Sequence, residues 1–345
     1  MLVERRFFKE LSFFRVRARM LKLMKKLRLS ARNVVIFLVL VLLVIFIAGT
    51  ETYLGSVKNG LNLYVVAVLP SMLPFFFFSK LLTELDFASD AGKVLAKPLN
   101  FLYRSPPLGG YVMIMSMLCG YPVGAKLVGE FYQSGLIDEK QAKKISSFTS
   151  TSGPLFIVGT VGVSMFGNKT YGFILLISHY LGTLINGLFY RGKRNETFSA
   201  PTPTVNAPED VLNKVMLNTF LSVGIVGGYI TVFNLLLDVT NNVGLIPLIA
   251  RLFTKIGINS QISSAVLGGL IEMTKGSLML SQSGFPVTVT LPLACFLVTF
   301  GGMSVTFQSL TFLSSAKISP SFYLLTKLTQ GIISSLVCLL ICLII

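Results

Sequence analysis

Long apolar runs separated by short polar turns recur from Val34 to Ile345, and runs of this length read as helices that enter or cross a bilayer. Residues 34–49 form the first span. Residues 51–59 read as a polar loop, and 61–82 as a second span kinked at Pro70 and Pro74, with Ser71 near the kink. Residues 91–103 read as a short interfacial helix. Apolar sequence resumes at 111–118, where Gly120, Tyr121, Pro122 and Gly124 interrupt the helical pattern. An amphipathic helix carrying Lys126 and Glu130 follows, then a polar turn at 135–144. A second interruption lies at 146–154, SSFTSTSGP, where Ser152 suits an N-cap and Pro154 a first helical turn. Residues 155–166 and 171–190 complete this half.

Residues 191–210, RGKRNETFSAPTPTVNAPED, form a Pro-rich polar linker, and Arg191, Lys193 and Arg194 favour the cytoplasmic side for it. The second half begins at 211–239, where Gly224, Gly227 and Gly228 allow close helix packing. An interfacial helix at 246–256 follows, then 263–280 with GGLIEMTKG, 286–313 broken at FGGMS, and a last span at 322–345. Hydrocarbon cannot satisfy backbone groups released at a helix break, so each break is covered by protein or faces a watery cavity. In many transporters such discontinuous helices mark the binding site.

The pattern therefore predicts an all-α, polytopic membrane protein with two repeat-related halves and discontinuous helices meeting near the midplane. Its parts are a basic arm (1–33), a first membrane half (34–190), the linker (191–210) and a second half (211–345). Superimposing the halves at their breaks sets 119–123 on 301–305, an offset of 182. Upstream, 108–110 fall on 267–269 and 78–82 on 233–237, at offsets of 159 and 155. The jump implies an insertion of 23 residues in the second half and leaves the 150–154 break without a partner. An inverted orientation of the halves is expected.

Composition agrees: mean hydropathy is +0.75, with 53% hydrophobic and 13% charged residues, which excludes a soluble globular protein. With no Trp, Tyr must serve at the interfaces. Cys119, Cys295, Cys338 and Cys342 lie in apolar sequence without metal-type spacing and read as free, buried thiols. Net charge is +16, and residues 1–33 carry eleven Lys and Arg against Glu4 and Glu10. Interleaved Phe and Leu suggest that this arm lies on an anionic leaflet beside a retained first span, with the N-terminus cytoplasmic. That span accounts for the charge without nucleic acid.

At CGYPVGAKL, TSGPLFIVGTVG, GGLIEMTKGS and FGGMSVTFQSL the chain resembles the sporulation integral membrane proteins of the YlbJ type, also called stage V sporulation protein VV, over residues 34–345. The resemblance implies nucleoside-recognition (Gate) domains, related in architecture to nucleoside-transporter cores. It also implies a transporter in the outer forespore membrane of the mother cell, moving dipicolinic acid towards the forespore. It does not extend to residues 1–33.

Dipicolinate, a flat ring with two carboxylates, needs anion donors and a stacking surface. Half-helices beginning near Pro122, Pro154 and Ser304 offer free N–H groups and positive dipole ends. Lys126 and Lys275 offer cations, and Ser150, Thr151, Ser152, Ser304, Thr306 and Gln308 offer neutral hydrogen bonds. Tyr121 offers a ring face. Gly120, Pro122, Gly124, Gly153 and Gly302 shape the breaks, and Glu272 completes the candidate substrate-binding set.

Structural readings stand beside these. Lys126 either binds solute or snorkels to the interface. Glu272 and Lys275, three apart, are ligands or an ion pair. Glu130 is the partner of Lys126 or a proton-coupling carboxylate, and the Ser and Thr residues serve binding or helix packing. His179 reads as a helix–helix hydrogen bonder rather than a proton relay. An enzyme is not expected: Ser152 and His179 are the one tempting pair, and no oxyanion-hole loop accompanies them. No metal or cofactor motif appears. The expected partners are a small-molecule anion and anionic lipid, with a second copy of the chain left open. Two other functions remain, a nucleoside carrier and a structural protein of the spore envelope.

Overall fold

The computed structural model describes residues 31–192 and 208–345, and every element among them is helical. The basic arm up to residue 30 and most of the linker lie outside the described residues. The chain divides into two units at Leu54. In the first, α1 (Ala31–Ala48) is apolar along its length, and its side chains from Val34 to Val41 are exposed. Near its C-terminal end Phe46 stacks on Tyr53 at 6.4 Å.

The expected loop at 51–59 is instead helical, forming α2 (Thr50–Leu63). Tertiary packing overrides its polar sequence. An added Cβ on Gly60 would lie 2.9 Å from Thr231 Cα, and Asn234 Nδ2 donates to the Ser56 carbonyl at 2.8 Å. A π-helical turn at Tyr64–Val68 leads to α3 (Leu69–Glu84), with Pro70 in its first turn and Pro74 inside. α4 (Phe87–Tyr103) includes the expected short helix at 91–103 and begins four residues earlier; it buries Leu99 and Tyr103, and Tyr103 stacks on Phe148 at 4.6 Å.

α5 (Leu108–Cys119) and α6 (Val123–Gln133) fold back on one another at Gly120–Pro122. Residues eight apart approach one another closely. A Cβ on Gly124 would stand 2.9 Å from Ser116 Oγ and 2.0 Å from the Thr149 carbonyl oxygen. One continuous helix would separate residues 116 and 124 by about 12 Å. Each arm reaches only ~18 Å at 1.5 Å per residue, about half a bilayer. The pair is therefore a re-entrant hairpin.

The chain then turns at 134–138 and enters α7 (Glu139–Ser146) through a capping box between Asp138 and Gln141, so the expected polar turn is half helix. Residues 147–153 are not helical, and a π-helical segment follows at Leu155–Met165. α8 (Lys169–Phe189) ends the first half.

The second half repeats this order. α9 (Pro208–Asn242) begins at a proline, which has no N–H for the helix start to leave unpaired. Of its three packing glycines, Gly227 is the crowded one: an added Cβ there would lie 2.5 Å from the Tyr64 ring, whereas one on Gly224 or Gly228 would have nothing within 4 Å. α10 (Leu245–Thr254) is the interfacial helix. α11 (Ser260–Ile271) and α12 (Met273–Ser281) form a second hairpin, turning at Glu272, where a Cβ on Gly276 would stand 2.2 Å from Gly269 Cα. α13 (Val287–Phe300) and α14 (Gly302–Leu313) are one apolar segment broken at Gly301, and α15 (Pro320–Ile344) closes the described chain.

Element starts in the two halves fall about 150 residues apart: Leu108 and Ser260, Val123 and Met273, Lys169 and Pro320. This corrects the expected superposition. The Gly120–Pro122 turn corresponds to Glu272, the 150–154 break to Gly301, and no 23-residue insertion is needed. Lys169–Phe189, Val211–Asn242, Val287–Ala316 and Pro320–Ile344 are each long and apolar enough to span, and Arg32–Ala48 with Thr50–Val66 makes a fifth if counted as one.

Candidate functional site

Each broken span packs against the turn of the hairpin in its own half. A Cβ on Gly120 would lie 2.6 Å from Gly153 N, and one on Gly302 would lie 2.8 Å from the Gly269 carbonyl. Ser116 of α5 donates to the Thr149 carbonyl, and its hydroxyl pairs with Thr151 Oγ1 at 2.8 Å. The two hairpin turns and two breaks thus converge on a cavity walled on its remaining side by α3 and α9 through Phe75, Met72, Val226 and Ile230.

A helix break releases carbonyls on one side and N–H groups on the other. Here the two ends are treated differently. The carbonyls of Val298 and Thr299, at the end of α13, accept the Tyr121 hydroxyl at 3.1 and 2.8 Å. The Ser150 carbonyl accepts from Lys327 Nζ and Gln330 Nε2, each at 3.0 Å. Gln330 also donates to Thr183 Oγ1 at 2.6 Å. His179 Nε2 accepts the Ser152 N–H at 2.9 Å, and its Nδ1 meets Thr299 Oγ1 at 2.8 Å, tying both breaks to α8. Side chains therefore cover the carbonyl ends. First turns of three half-helices line the cavity, through Leu155 and Phe156, Met273 and Thr274, and Ser304 and Val305. Their positive dipole ends face the space a solute would fill.

The expected residues divide in two. Gly120, Tyr121, Ser152, Gly153, Glu272, Ser304 and Gln308 line the cavity. Gln308 Nε2 donates to Ser304 Oγ at 3.1 Å, and Glu272, 2% exposed, accepts the Lys275 N–H on Oε2 at 2.8 Å as the N-cap of α12. The others lie behind the wall. Pro122 follows Tyr121 in a cis peptide, and Gly124 is wedged against the 149 carbonyl. Ser150 Oγ bonds Tyr323 Oη at 2.7 Å, Thr151 bonds Ser116, and Gly302 backs onto the second hairpin. Thr306 bonds back to the Gly302 carbonyl within its own helix at 2.8 Å.

Neither expected lysine reaches the cavity wall. Lys126 lies 5.4 Å from the centre of the Phe76 ring and 3.8 Å from Glu130. Glu130 in turn meets Lys80 at 3.0 Å, and Lys80 meets Glu84 at 2.9 Å. Lys275 pairs with Asp238 of α9 rather than with the Glu272 carboxylate, because hairpin geometry leaves that carboxylate at its own helix N-terminus.

The cation that the motifs missed is Lys327 of α15, 1% exposed. Its ammonium donates to Tyr121 Oη at 3.0 Å, the Ser150 carbonyl and Gln330 Oε1 at 3.1 Å, and sits 4.6 Å from the Tyr121 ring centre. Among the described residues no carboxylate lies within ion-pair distance of it. A lysine inside an apolar span is the signal that finds it, since such charges are costly and retained for a purpose. No group of His, Cys, Asp and Glu suited to a metal occurs among the described residues.

The chain is 30% identical over 301 residues to the sporulation integral membrane protein YlbJ of Bacillus subtilis (strain 168), an alignment that covers 80% of this chain and 74% of that protein. No family model and no solved structure matches.

Proposed function

Since the chain belongs to the YlbJ family of sporulation integral membrane proteins, we propose that it carries a small anionic aromatic solute, dipicolinate, across the outer forespore membrane towards the forespore. One observation carries this reading: positive half-helix ends line the cavity while Lys327, Gln330 and Tyr121 cover the carbonyl ends. Such a site attracts negative charge. Tyr121, Phe156 and Phe75 supply aromatic surface for a flat ring. The repeated hairpins and broken helices suit alternating access, in which related elements open to opposite faces. Residues 1–33 would hold the cytoplasmic face to anionic lipid. No chemical step is assigned to the protein.

A second reading has its own support. The polar lining includes Glu272, Gln308, Ser152 and Ser304, with Lys126 and Lys275 outside, a set suited to the hydroxyls of a nucleoside. Purified protein in proteoliposomes separates the two. The proposal expects uptake of labelled dipicolinate that excess unlabelled dipicolinate abolishes and uridine or adenosine does not. Uptake of nucleosides instead, or of neither solute, overturns it. In sporulating cells lacking the protein, dipicolinate is expected to accumulate in the mother cell.

A further inference from the structure

Glu272 is the one carboxylate or ammonium among the residues that line the cavity, and it carries the wrong charge for an anion site. Among the described residues no ammonium lies within ion-pair distance of it. Its Oε2 accepts the Lys275 N–H, but the Lys275 ammonium is turned away to Asp238. Lys327 is held behind Tyr121 by three neutral acceptors. Across the cavity the first hairpin presents Tyr121 and Cys119. Nothing titratable faces it from the π-helical segment, α11, α13 or α14, whose sequences contain no Asp, Glu, Lys, Arg or His. α9 presents Asp238, already engaged by Lys275.

A solute with two carboxylates must therefore share the cavity with a third. Two carboxylates forced together at low dielectric cannot both stay ionised, and the pair holds one proton between them. We infer that Glu272 is the proton-coupling group of the carrier, binding one proton together with each dicarboxylate and releasing both on the far side. The inference rests on the dicarboxylate reading of the cavity. The step is a simple proton transfer. An O–H bond forms on the Glu272 carboxylate with a proton from the entry side, and the neutral acid keeps that proton while donating a hydrogen bond to a solute carboxylate. After release of the solute the O–H proton passes to water on the exit side. One proton accompanies each dianion, so each cycle moves one net negative charge rather than two. The placement at the apex of the second hairpin gives the proton a mechanical consequence, because the same carboxylate caps α12.

A cap without a coupling role is the competing explanation, and Glu272→Gln distinguishes them. Glutamine keeps an oxygen for the Lys275 N–H and mimics the protonated acid. The expected result at pH 7.5 is dipicolinate binding about tenfold tighter than wild type, no longer strengthened by lowering the pH, and uptake without proton entry read by a lumenal pH dye. Wild-type vesicles are expected to acidify as dipicolinate enters. A variant that keeps wild-type pH dependence and proton entry overturns the inference, as does wild-type uptake with no proton movement. A Glu272→Gln protein that fails to fold leaves the wild-type proton measurement to decide. If wild-type vesicles take up no dipicolinate at all, the solute assignment fails and this inference falls with it.

Discussion

Lys327 shows how one side chain can matter more for recognition than for stability. Its ammonium has three neutral acceptors, and two of them keep another bond without it: Ser150 to Gln330, and Tyr121 to Thr299. Removing it orphans the Gln330 Oε1 atom, a cost of about 1–3 kcal/mol, and relieves the desolvation of a buried charge. The two effects oppose. Lys327→Met is therefore expected to stay folded, within about 1 kcal/mol of wild type by thermal unfolding in detergent. Binding should respond differently. At an effective dielectric of 20, an ammonium and a carboxylate about 8 Å apart attract by about 2 kcal/mol, more than tenfold in affinity. Calorimetry should show that loss for dipicolinate and little change for neutral pyridine. An equal loss for both would make Lys327 a packing residue.

The hairpins are set by small residues at their crossings, and Gly124 is the tightest case. A Cβ there meets a backbone carbonyl at 2.0 Å, and a backbone atom cannot rotate away as a flexible side chain can. Gly124→Ala is expected to cost about 3 kcal/mol or more, read as lost yield and a lower unfolding temperature. Gly224→Ala, with nothing within 4 Å, should be neutral or slightly stabilising, by up to ~1 kcal/mol in helix propensity. A similar loss at both sites would deny that the crossing sets the fold. Both glycines lie in apolar sequence and look alike there, which limits what pattern alone can tell. The break at Gly120, Tyr121 and Pro122 was legible because Gly and Pro interrupt an apolar run. The Glu272 turn was not, because GGLIEMTKG contains no proline and its glycines fit a helix. Missing that turn displaced the repeat, since the first break was paired with the next visible one, at Gly301. The ion pairs were legible only locally: Lys126 and Glu130 are four apart, but Asp238 lies 37 residues from Lys275 and only the fold brings them together.

At the scale of the whole molecule, the two halves repeat one order of elements, and their charged contacts follow suit. Lys80, Glu84, Lys126 and Glu130 tie the second arm of the first hairpin to α3, while Lys275 and Asp238 tie the second arm of the other to α9. Lys214 near the start of α9 also reaches Glu84 at 2.8 Å, joining the two long helices at one end. Composition announced a membrane protein, and the helix breaks announced a cavity. The correspondence between the halves could be read only after both hairpins were recognised.

The thiol of Cys119 stands at the turn of the first hairpin, in the cavity wall, with its Sγ near the Phe75 carbonyl at 3.8 Å. Cys295 and Cys338 are packed together in the core formed with α13 and α15, and Cys342 is partly covered. The protein thus carries its own chemical footprinting probe, with no engineered label required. A small, membrane-impermeant alkylating reagent should modify Cys119 from whichever face the cavity is open to, and saturating dipicolinate should slow that modification severalfold. Mass spectrometry of the Cys119 peptide reads the occupancy directly, and the native sequence becomes its own reporter of which way the carrier faces.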